Sequence, residues 1–522
     1  MSVQNSLAQM FNDNVMIMKF NFLNTKKQLV TNHEKAKAYL MTPELELYTT
    51  VVTTGLHDSF YESGNSRLNR IKELVMTCES IFVAKLAVYA RTVMNLRSIP
   101  IVLAVELAKK ASGESIVSKT VSRVVLRADE ITELLAYYQI ANNRNGAKKL
   151  SRLSKQIQKG LVASFNRFDE YQFAKYNREA EIKLKDALFL VHPSPKNDQQ
   201  QAIFNRIAAD NLSTPYTWET ELSKLGQENF DNTLARSDAF ARKWEELIES
   251  KKMGYMALLR NLRNILEANA SAQHVLMVCN YLSNEQAVLN SRQLPFRFLS
   301  AYRELKVLKS GLTSTVLTAL EDATLCSARN IKGFGFETSV VISCDVSGSM
   351  QKPISAKSTV LLYDVGLMLA MLLQSQCKDV TTGIFGDTYK IINMPKHQVL
   401  TNVMEYYKRE GEVGYSTNGY LVVDDLIRRK KIVDKVMIFT DCQLWDSNHN
   451  GNSLERSWNN YKSLAPTAKL YLFDLAGYGK QPIDVKQNDV YLLAGWSDKV
   501  FDILSGMDNA LSAVKQIHQV EI

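Results

Sequence analysis

The stretch SCDVSGSMQKP, from Ser343 to Pro353, follows the apolar run Ser339 to Ile342. A buried strand that ends in Asp-x-Ser-x-Ser places one carboxylate and two hydroxyls, those of Asp345, Ser347 and Ser349, in a single loop. Small oxygen ligands of this kind are the ones that Mg²⁺ prefers. The stretch therefore predicts a strand followed by a site for Mg²⁺ or another divalent cation.

The chain after Gly335 alternates between short apolar runs and helix-like segments. The apolar runs, each as long as a buried strand, are SVVISC, VTTGIFG, KIIN, KVMIFT, AKLYLFDLAG and VYLLAG. This alternation predicts a doubly wound α/β domain whose mostly parallel sheet is covered on both faces. Ligands of such sheets bind at the carboxyl ends of the strands. We therefore expect Thr417, just before a helix, and Asp441, at a strand end, to complete the metal site.

The first part of the chain has a different pattern. From Ser6 to about Ala328, apolar residues recur at helical spacing between short polar or Gly/Pro breaks. The sequence thus predicts a multidomain protein, with an all-α layered or superhelical region over residues 1–336 and the α/β domain over residues 337–522.

The two parts also differ in charge. Residues 1–336 contain 44 Lys and Arg against 33 Asp and Glu, a net +11, whereas the remainder contains 19 against 21, a net −2. Any polyanion is therefore expected to bind the first part.

Composition bears on the cellular compartment. The six cysteines are scattered without metal-ligand spacing, which indicates reduced thiols. No apolar run has the length of a membrane span, and the N-terminus lacks the pattern of a signal peptide. We expect a cytoplasmic, monomeric protein with no membrane partner.

One basic stretch lies between Leu134 and Phe168, where no Asp or Glu occurs. If the stretch is helical, five of its six candidate cations, all but Lys149, fall within roughly 80° of one another around the helix axis. Its Leu and Ile residues fall on the opposite side. A solvated helix face is the alternative, but such faces usually interleave acidic residues, and their absence favours an anion-binding surface. The cations are Arg144, Lys148, Lys149, Arg152, Lys155 and Lys159.

A second basic segment is KYNREAEIKLKDALFLVHPSPK, from Lys175 to Lys196. It predicts a helix that ends near Pro193, which leaves an imidazole at the helix end. A lone His more often has a structural role, so the functional interpretation depends on its neighbours. The candidate RNA-binding residues here are Lys175, Arg178, Lys183, Lys185 and His192.

The second part of the chain resembles von Willebrand factor A domains. The order of the Asp-x-Ser-x-Ser loop, a Thr loop and a strand-ending Asp matches their metal-ion-dependent adhesion site. The resemblance implies one metal position open to an acidic group from a partner. The alternative is that the loop only satisfies its own turn hydrogen bonds. The matching residues are Asp345, Ser347, Ser349, Thr417 and Asp441.

The first part resembles the TROVE module. Segments NLRSIPIVLAVELA (Asn95 to Ala108) and LPFRFLSAYRELK (Leu294 to Lys306) match it, and with the A domain behind them the whole chain is similar to the Ro autoantigen family, including its bacterial relatives. Further matches to the module's pattern are Lys175, Tyr176, Lys185, Asp186, Leu188, Leu190, His192 and Pro195.

The resemblance implies a ring of HEAT-like helical hairpins with a basic central hole, closed by the A domain. In the family the hole takes single-stranded 3′ ends of misfolded RNA, and the outer basic surface binds small Y RNAs. Lys175 and His192 match positions of that outer surface, and Arg97 lies in a matching segment. Glu179 stands at a basic family position and residues 180–182 replace an Asn-Gly-Trp turn, which lowers the affinity expected for a Y-type RNA.

These features favour a non-enzymatic RNA-binding scaffold that acts in RNA quality control with a small structured, Y-like RNA. An exoribonuclease or another protein with an acidic group is a further candidate partner for the metal site. The alternative is a protein-adhesion module in which the metal recruits an acidic partner. An enzyme ranks third, since the chain has no Walker loop, Ser/His/Asp arrangement or HExxH motif.

Overall fold

The computed structural model describes residues 29–53, 62–143, 153–177, 180–293, 296–328, 337–354, 358–375, 377–447, 450–485, 489–495 and 513–522. Its helical first part and α/β second part confirm the predicted fold class. The division at residue 336 stays a prediction, because residues 329–336 lie outside the described ranges.

Helices dominate the first part, and many of them pack against the next helix or the next but one along the chain. They are α1 Pro43–Val52, α2 Gly64–Thr77, α3 Ser80–Thr92, α4 Ser98–Lys110, α5 Ser115–Val124, α6 Asp129–Ala141, α7 Lys155–Phe165, α8 Glu170–Tyr176, α9 Leu184–Val191, α10 Asp198–Ala208, α11 Trp218–Gly226, α12 Thr233–Glu249, α13 Tyr255–Glu267, α14 Ala272–Leu282, α15 Glu285–Ser291, α16 Phe296–Lys306 and α17 Thr313–Ala328.

The pair α5 and α7 shows how closely these helices approach. Gly160 of α7 faces Val121 of α5, and a Cβ atom added at Gly160 would lie 2.6 Å from the Val121 Cβ. Because no side chain fits in that space, the glycine sets the distance between the two helices.

The second part contains a six-stranded sheet in the order β5-β4-β3-β6-β7-β9, parallel except for the edge strand β5. The strands are β3 Ser339–Asp345, β4 Asp379–Phe385, β5 Tyr389–Ile391, β6 Lys435–Thr440, β7 Lys469–Asp474 and β9 Val490–Ala494. The helices are α18 Leu362–Gln374, α19 Val399–Tyr407, α20 Tyr420–Arg429, α21 Leu454–Leu464 and α22 Ala513–His518, with short 3-10 turns at Gly348–Gln351 and Glu410–Glu412.

The sheet order places a topological switch point between β3 and β6. From β3 the chain builds outward to β4 and β5 on one side, and then returns to add β6, β7 and β9 on the other. The carboxyl ends of β3 and β6 are therefore neighbours at the point where open α/β sheets bind their ligands.

Two short strands in the first part were not predicted. Strands β1 (Leu29–Thr31) and β2 (Lys37–Leu40) form an antiparallel hairpin, and β2 also pairs with β8 (Lys480–Gln481) of the α/β domain. The pairing partner lies more than 400 residues away, so local periodicity carried no signal of it.

Both ends of the helical region pack against the α/β domain. At the N-terminal end of the helical region, Tyr48 of α1 donates a hydrogen bond to the carbonyl oxygen of Ala494 at 3.2 Å. At the C-terminal end of the helical region, Arg303 of α16 forms a bidentate ion pair with Asp364 of α18, with N···O distances of 2.7 and 2.5 Å. Because the α/β domain joins the two ends of the helical region, the described parts form a closed circuit.

Candidate metal centre and basic surfaces

The five predicted metal ligands lie together at the carboxyl edge of the sheet. Asp345 is the last residue of β3, Ser347 and Ser349 lie in the loop and 3-10 turn behind it, and Asp441 directly follows β6. Thr417 lies in the loop before α20 and donates a hydrogen bond to the carbonyl oxygen of Gln443 at 2.8 Å. All five side chains are buried.

Hydrogen bonds fix the two carboxylates. The Asp345 Oδ1 atom accepts from the backbone N–H of Ser347 at 2.9 Å, and its Oδ2 atom accepts from the Thr440 hydroxyl at 2.7 Å. The Asp441 Oδ1 atom accepts from the backbone N–H of Gln443 at 3.0 Å. The Asp441 Oδ2 atom is buried and has no hydrogen-bond partner among the described residues.

The pKa values reflect this burial. Burial, and then the negative charge of Asp441, raise the pKa of Asp345 to about 7. Burial likewise raises the pKa of Asp441 to about 6. Two neighbouring buried carboxylates are costly unless a cation or a proton neutralises them.

The donor set fits a hard divalent cation. Two carboxylates and three hydroxyls supply oxygen ligands only, and the orphaned Asp441 Oδ2 atom needs a positive partner. The described ranges contain no group of three or more His, Cys, Asp or Glu residues that could hold a metal, which argues against a softer-metal centre elsewhere in them. Thr417 uses its proton on Gln443, so its oxygen lone pairs stay available as acceptors.

The first basic stretch is only partly described. Helix α7 begins at Lys155, with Leu153 and Ser154 outside the helix, so a single helix over residues 144–159 is wrong. The chain leaves α6 through Asn143, whose φ of 53° ends that helix. Lys155 and Lys159 are exposed. The remaining candidates, Arg144, Lys148, Lys149 and Arg152, lie outside the described residues.

The second basic segment forms two helices instead of one. Helix α8 ends at Tyr176, and α9 begins at Leu184 and ends, as predicted, just before Pro193. His192 caps α9 in the left-handed conformation with φ 48°, and its ring is exposed. Of the other candidates, Arg178 lies outside the described residues.

The lysines of this segment occupy distinct positions. Lys175 on α8 is exposed, with its ammonium 5.6 Å from the Tyr171 ring centroid and 5.7 Å from that of Tyr176. Lys183 lies at the N-cap of α9 and Lys185 in its first turn. Aromatic rings beside a cation resemble the combination that binds bases and phosphates together.

Some other cations of the helical region are paired with carboxylates. Arg97, a predicted RNA-binding residue, contacts three carboxylates, those of Asp129 at 3.1 Å, Glu130 at 3.3 Å and Glu133 at 3.6 Å. In contrast, within the described ranges no carboxylate lies at ion-pair distance from five of the six remaining candidates, Lys183 being the sixth. The five are Lys155, Lys159, Lys175, Lys185 and His192.

One pair of cations was missed by the sequence interpretation. Arg260 of α13 and Arg297 of α16 are both exposed, and their two helices pack against each other. Arginines on neighbouring helices repel each other, so an anion that contacts both would be favourable. Arg297 lies in the segment LPFRFLSAYRELK, whose TROVE-like pattern was the available signal.

The architecture defines a class of proteins in which a helical-repeat domain is followed by a von Willebrand A-type domain. The model of the TROVE domain matches residues 21–221 and 210–344, and that of the Ro60 vWA domain matches residues 339–507. The chain therefore belongs to the TROVE-domain family, with a Ro60-type A domain behind it. Neither matched model describes an enzyme, and the architecture supports RNA binding.

The chain is also similar to individual proteins. The chain is 28% identical over 305 residues to rat telomerase protein component 1, and 26% identical over 304 residues to the mouse protein. Each match covers 45% of this chain but only 11% of the relative. The crystal structure of the Ro (RSR) protein of Deinococcus radiodurans has the same fold, with a TM-score of 0.58 and 16% identity over 89% of this chain and 100% of that one.

Membrane insertion finds no support in the described helices, since none of them combines the length and apolar character needed to cross a bilayer.

Proposed function

We propose that the protein is a non-enzymatic RNA-binding scaffold in RNA quality control. A small structured, Y-like RNA binds the outer cations of α8 and α9, and single-stranded 3′ ends of misfolded RNA bind inside the helical ring. The observation that carries the proposal is the set of exposed or half-buried cations on α7, α8 and α9 that have no carboxylate partner among the described residues. Cations without carboxylate partners attract phosphates and release counterions when RNA binds.

The two RNA sites use different chemistry. Lys175, Lys185 and His192 donate to the phosphates of a folded RNA, and the Tyr rings beside Lys175 offer a stacking surface. Arg260 and Arg297, exposed on the packed helices α13 and α16, form a separate cationic surface for the phosphates of a single strand.

The A domain has a distinct role in this proposal. Asp345, Ser347, Ser349, Thr417 and Asp441 hold Mg²⁺, which when bound supplies an electrophilic centre for an acidic oxygen. Thr440 and the Ser347 N–H orient the Asp345 carboxylate towards the site. The metal-site loop follows the A-domain pattern, so a protein partner with an acidic group, such as an exoribonuclease, is the second candidate ligand.

Sequencing of RNA that copurifies with the native protein at low salt tests the proposal. We expect enrichment of small structured RNAs and of RNAs with unpaired 3′ ends over the total RNA of the host. Recovery of no RNA above background would contradict the proposal and favour the protein-adhesion alternative, which copurified proteins with acidic segments would then support.

A further inference from the structure

Two exposed aromatic rings lie on the helices of the proposed outer RNA surface. Among the residues that the structure describes, four Phe, Tyr or Trp side chains are exposed, and two of them are Tyr171 on α8, 45% exposed, and Phe189 on α9, 52% exposed. A ring that stays in water gains little from folding, and aromatic residues are only moderate helix formers. The stability of α8 and α9 therefore does not explain either ring.

Phe189 is flanked by cations on one face of α9. It follows Lys185 by four residues and precedes His192 by three, so the three side chains lie on the same face of the helix. The exposed phenyl ring thus lies between two of the proposed RNA-binding cations. The residues that α9 buries against the core are Leu184, Ala187, Leu188 and Val191.

Helix α8 has the same combination in the opposite order along the chain. Tyr171 precedes Lys175 by four residues, and the Lys175 ammonium lies 5.6 Å from the centroid of the Tyr171 ring. Tyr176 is similarly close to this ammonium, but its ring is half-buried and packs against the Arg127 guanidinium, whose carbon atom lies 4.2 Å from the ring centroid. Of the two rings beside Lys175, Tyr171 is therefore the one that a ligand can reach.

A ring and a cation at this spacing fit a nucleotide whose base is unpaired. Residues four apart on a helix have Cβ atoms about 5–6 Å apart, so their side chains can contact the phosphate and the base of one nucleotide. Bases inside a duplex are already stacked on their neighbours, whereas a bulged or loop base can stack on an aromatic side chain. Within the described ranges no carboxylate pairs with Lys175, Lys185 or His192, which favours a polyanion over a protein partner.

We propose that Tyr171 and Phe189 stack on unpaired bases of the structured RNA, while the neighbouring cations bind the phosphates of the same nucleotides. The inference rests on the proposed outer RNA site and adds what that site selects, which is an RNA helix interrupted by bulged or loop bases. The cations supply most of the affinity. The two rings supply the preference for an interrupted helix over a continuous one.

Binding titrations of the full chain with three blunt-ended RNA duplexes test this role. One duplex carries bulged adenosines, one is fully paired, and one has abasic nucleotides in place of the bulged adenosines. We expect the unsubstituted chain to prefer the bulged duplex by about fivefold or more, because each stacked base adds affinity. The double variant Tyr171→Leu and Phe189→Leu keeps apolar side chains without flat rings. It should lose this preference and bind the paired duplex as before, within about twofold.

Two controls separate stacking from a structural role of the rings. Tyr171→Phe with Phe189→Tyr keeps both rings and should keep the preference. Tyr281→Leu on α14 removes another exposed ring and should leave all three affinities within about twofold. An unsubstituted chain without the preference, a preference that survives the double Leu variant, or equal losses for bulged and paired duplexes would overturn the inference and leave the outer RNA site intact. If the unsubstituted chain binds none of the duplexes, the outer RNA site and the inference fail together.

Discussion

At the scale of single residues, burial of Asp345 and Asp441 governs the metal site. The pKa of Asp345 is raised to about 7 and that of Asp441 to about 6, so the metal-free folded chain holds protons that the unfolded chain releases near pH 4. Between pH 4 and pH 7 these two groups therefore make the metal-free protein less stable as the pH rises. Mg²⁺ reverses this effect, because it binds the charged carboxylates.

The first prediction concerns this linkage. Mg²⁺ should raise the melting temperature more at pH 8 than at pH 6, since protons compete for the same oxygens at the lower pH. Thermal unfolding with and without Mg²⁺ measures the difference. The control is Asp345→Asn, which preserves the size of the side chain but removes its charge, and should show no Mg²⁺-dependent shift at either pH. A larger shift at pH 6 would contradict the account.

At the scale of elements, the contact between α5 and α7 supports the basic helix α7. Gly160→Ala should destabilise the protein by about 1–3 kcal/mol, because the new methyl group would lie 2.6 Å from the Val121 Cβ atom. The matched control is Gly226→Ala at the end of α11, where no atom lies within 4 Å of an added Cβ. That change should be neutral or stabilising by up to about 1 kcal/mol. Equal effects in denaturant unfolding would show that α5 and α7 are not closely packed.

The elements α8 and α9 carry the third prediction. Replacing Lys175, Lys185 and His192 together with Ala should weaken binding of a structured RNA by about tenfold or more, while a single-stranded 3′ end binds as before. A gel shift with both RNAs measures this. Replacement of three exposed cations on the A domain should leave both affinities within about twofold, and these changes are Lys378→Ala, Lys408→Ala and Arg428→Ala. Equal loss for both RNAs would contradict the two-site proposal.

Local hydrophobic patterns predicted the strands and helices whose own sequences show the matching periodicity. The run KVMIFT coincides with β6, and because β3 and β6 are neighbours in a doubly wound sheet, the meeting of Asp345 and Asp441 could also be predicted. The predictions of longer basic helices were wrong where an Asn residue ends the helix, at Asn143 after α6 and at Asn177 after α8. The contacts of Asn32 and His33 with Leu444 and Gln443 accompany pairing between distant strands, which no local pattern contains.

At the scale of the whole molecule, closure of the helical region depends on its two contacts with the A domain. At the last end, Asp364 is fully buried and is neutralised by Arg303. Beside it, Glu321 of α17 accepts hydrogen bonds from the backbone N–H groups of Leu400 and Thr401, at the start of α19. These contacts join helices of both domains into one unit.

The fourth prediction tests this unit. Arg303→Ala should destabilise the protein by about 3–5 kcal/mol, because it leaves the buried Asp364 carboxylate without its cation. The control is Arg263→Ala on α13, which removes an exposed pair with Glu267 and should cost less than about 1 kcal/mol. Denaturant unfolding compares the two variants. Similar losses would mean that the interdomain ion pair contributes little to closure.

The salt dependence of RNA affinity, measured once in Mg²⁺ and once in EDTA, tests the central claim that the helical region binds RNA through unpaired cations while the metal site acts separately. With the five cations on α7, α8 and α9 in contact with phosphates, the logarithm of the affinity should fall with the logarithm of the salt concentration with a slope of about −4. The slope and the affinity should be the same in EDTA, within a few-fold. A slope near zero would contradict phosphate binding by these cations, and release of the RNA by EDTA alone would place the metal in the RNA site.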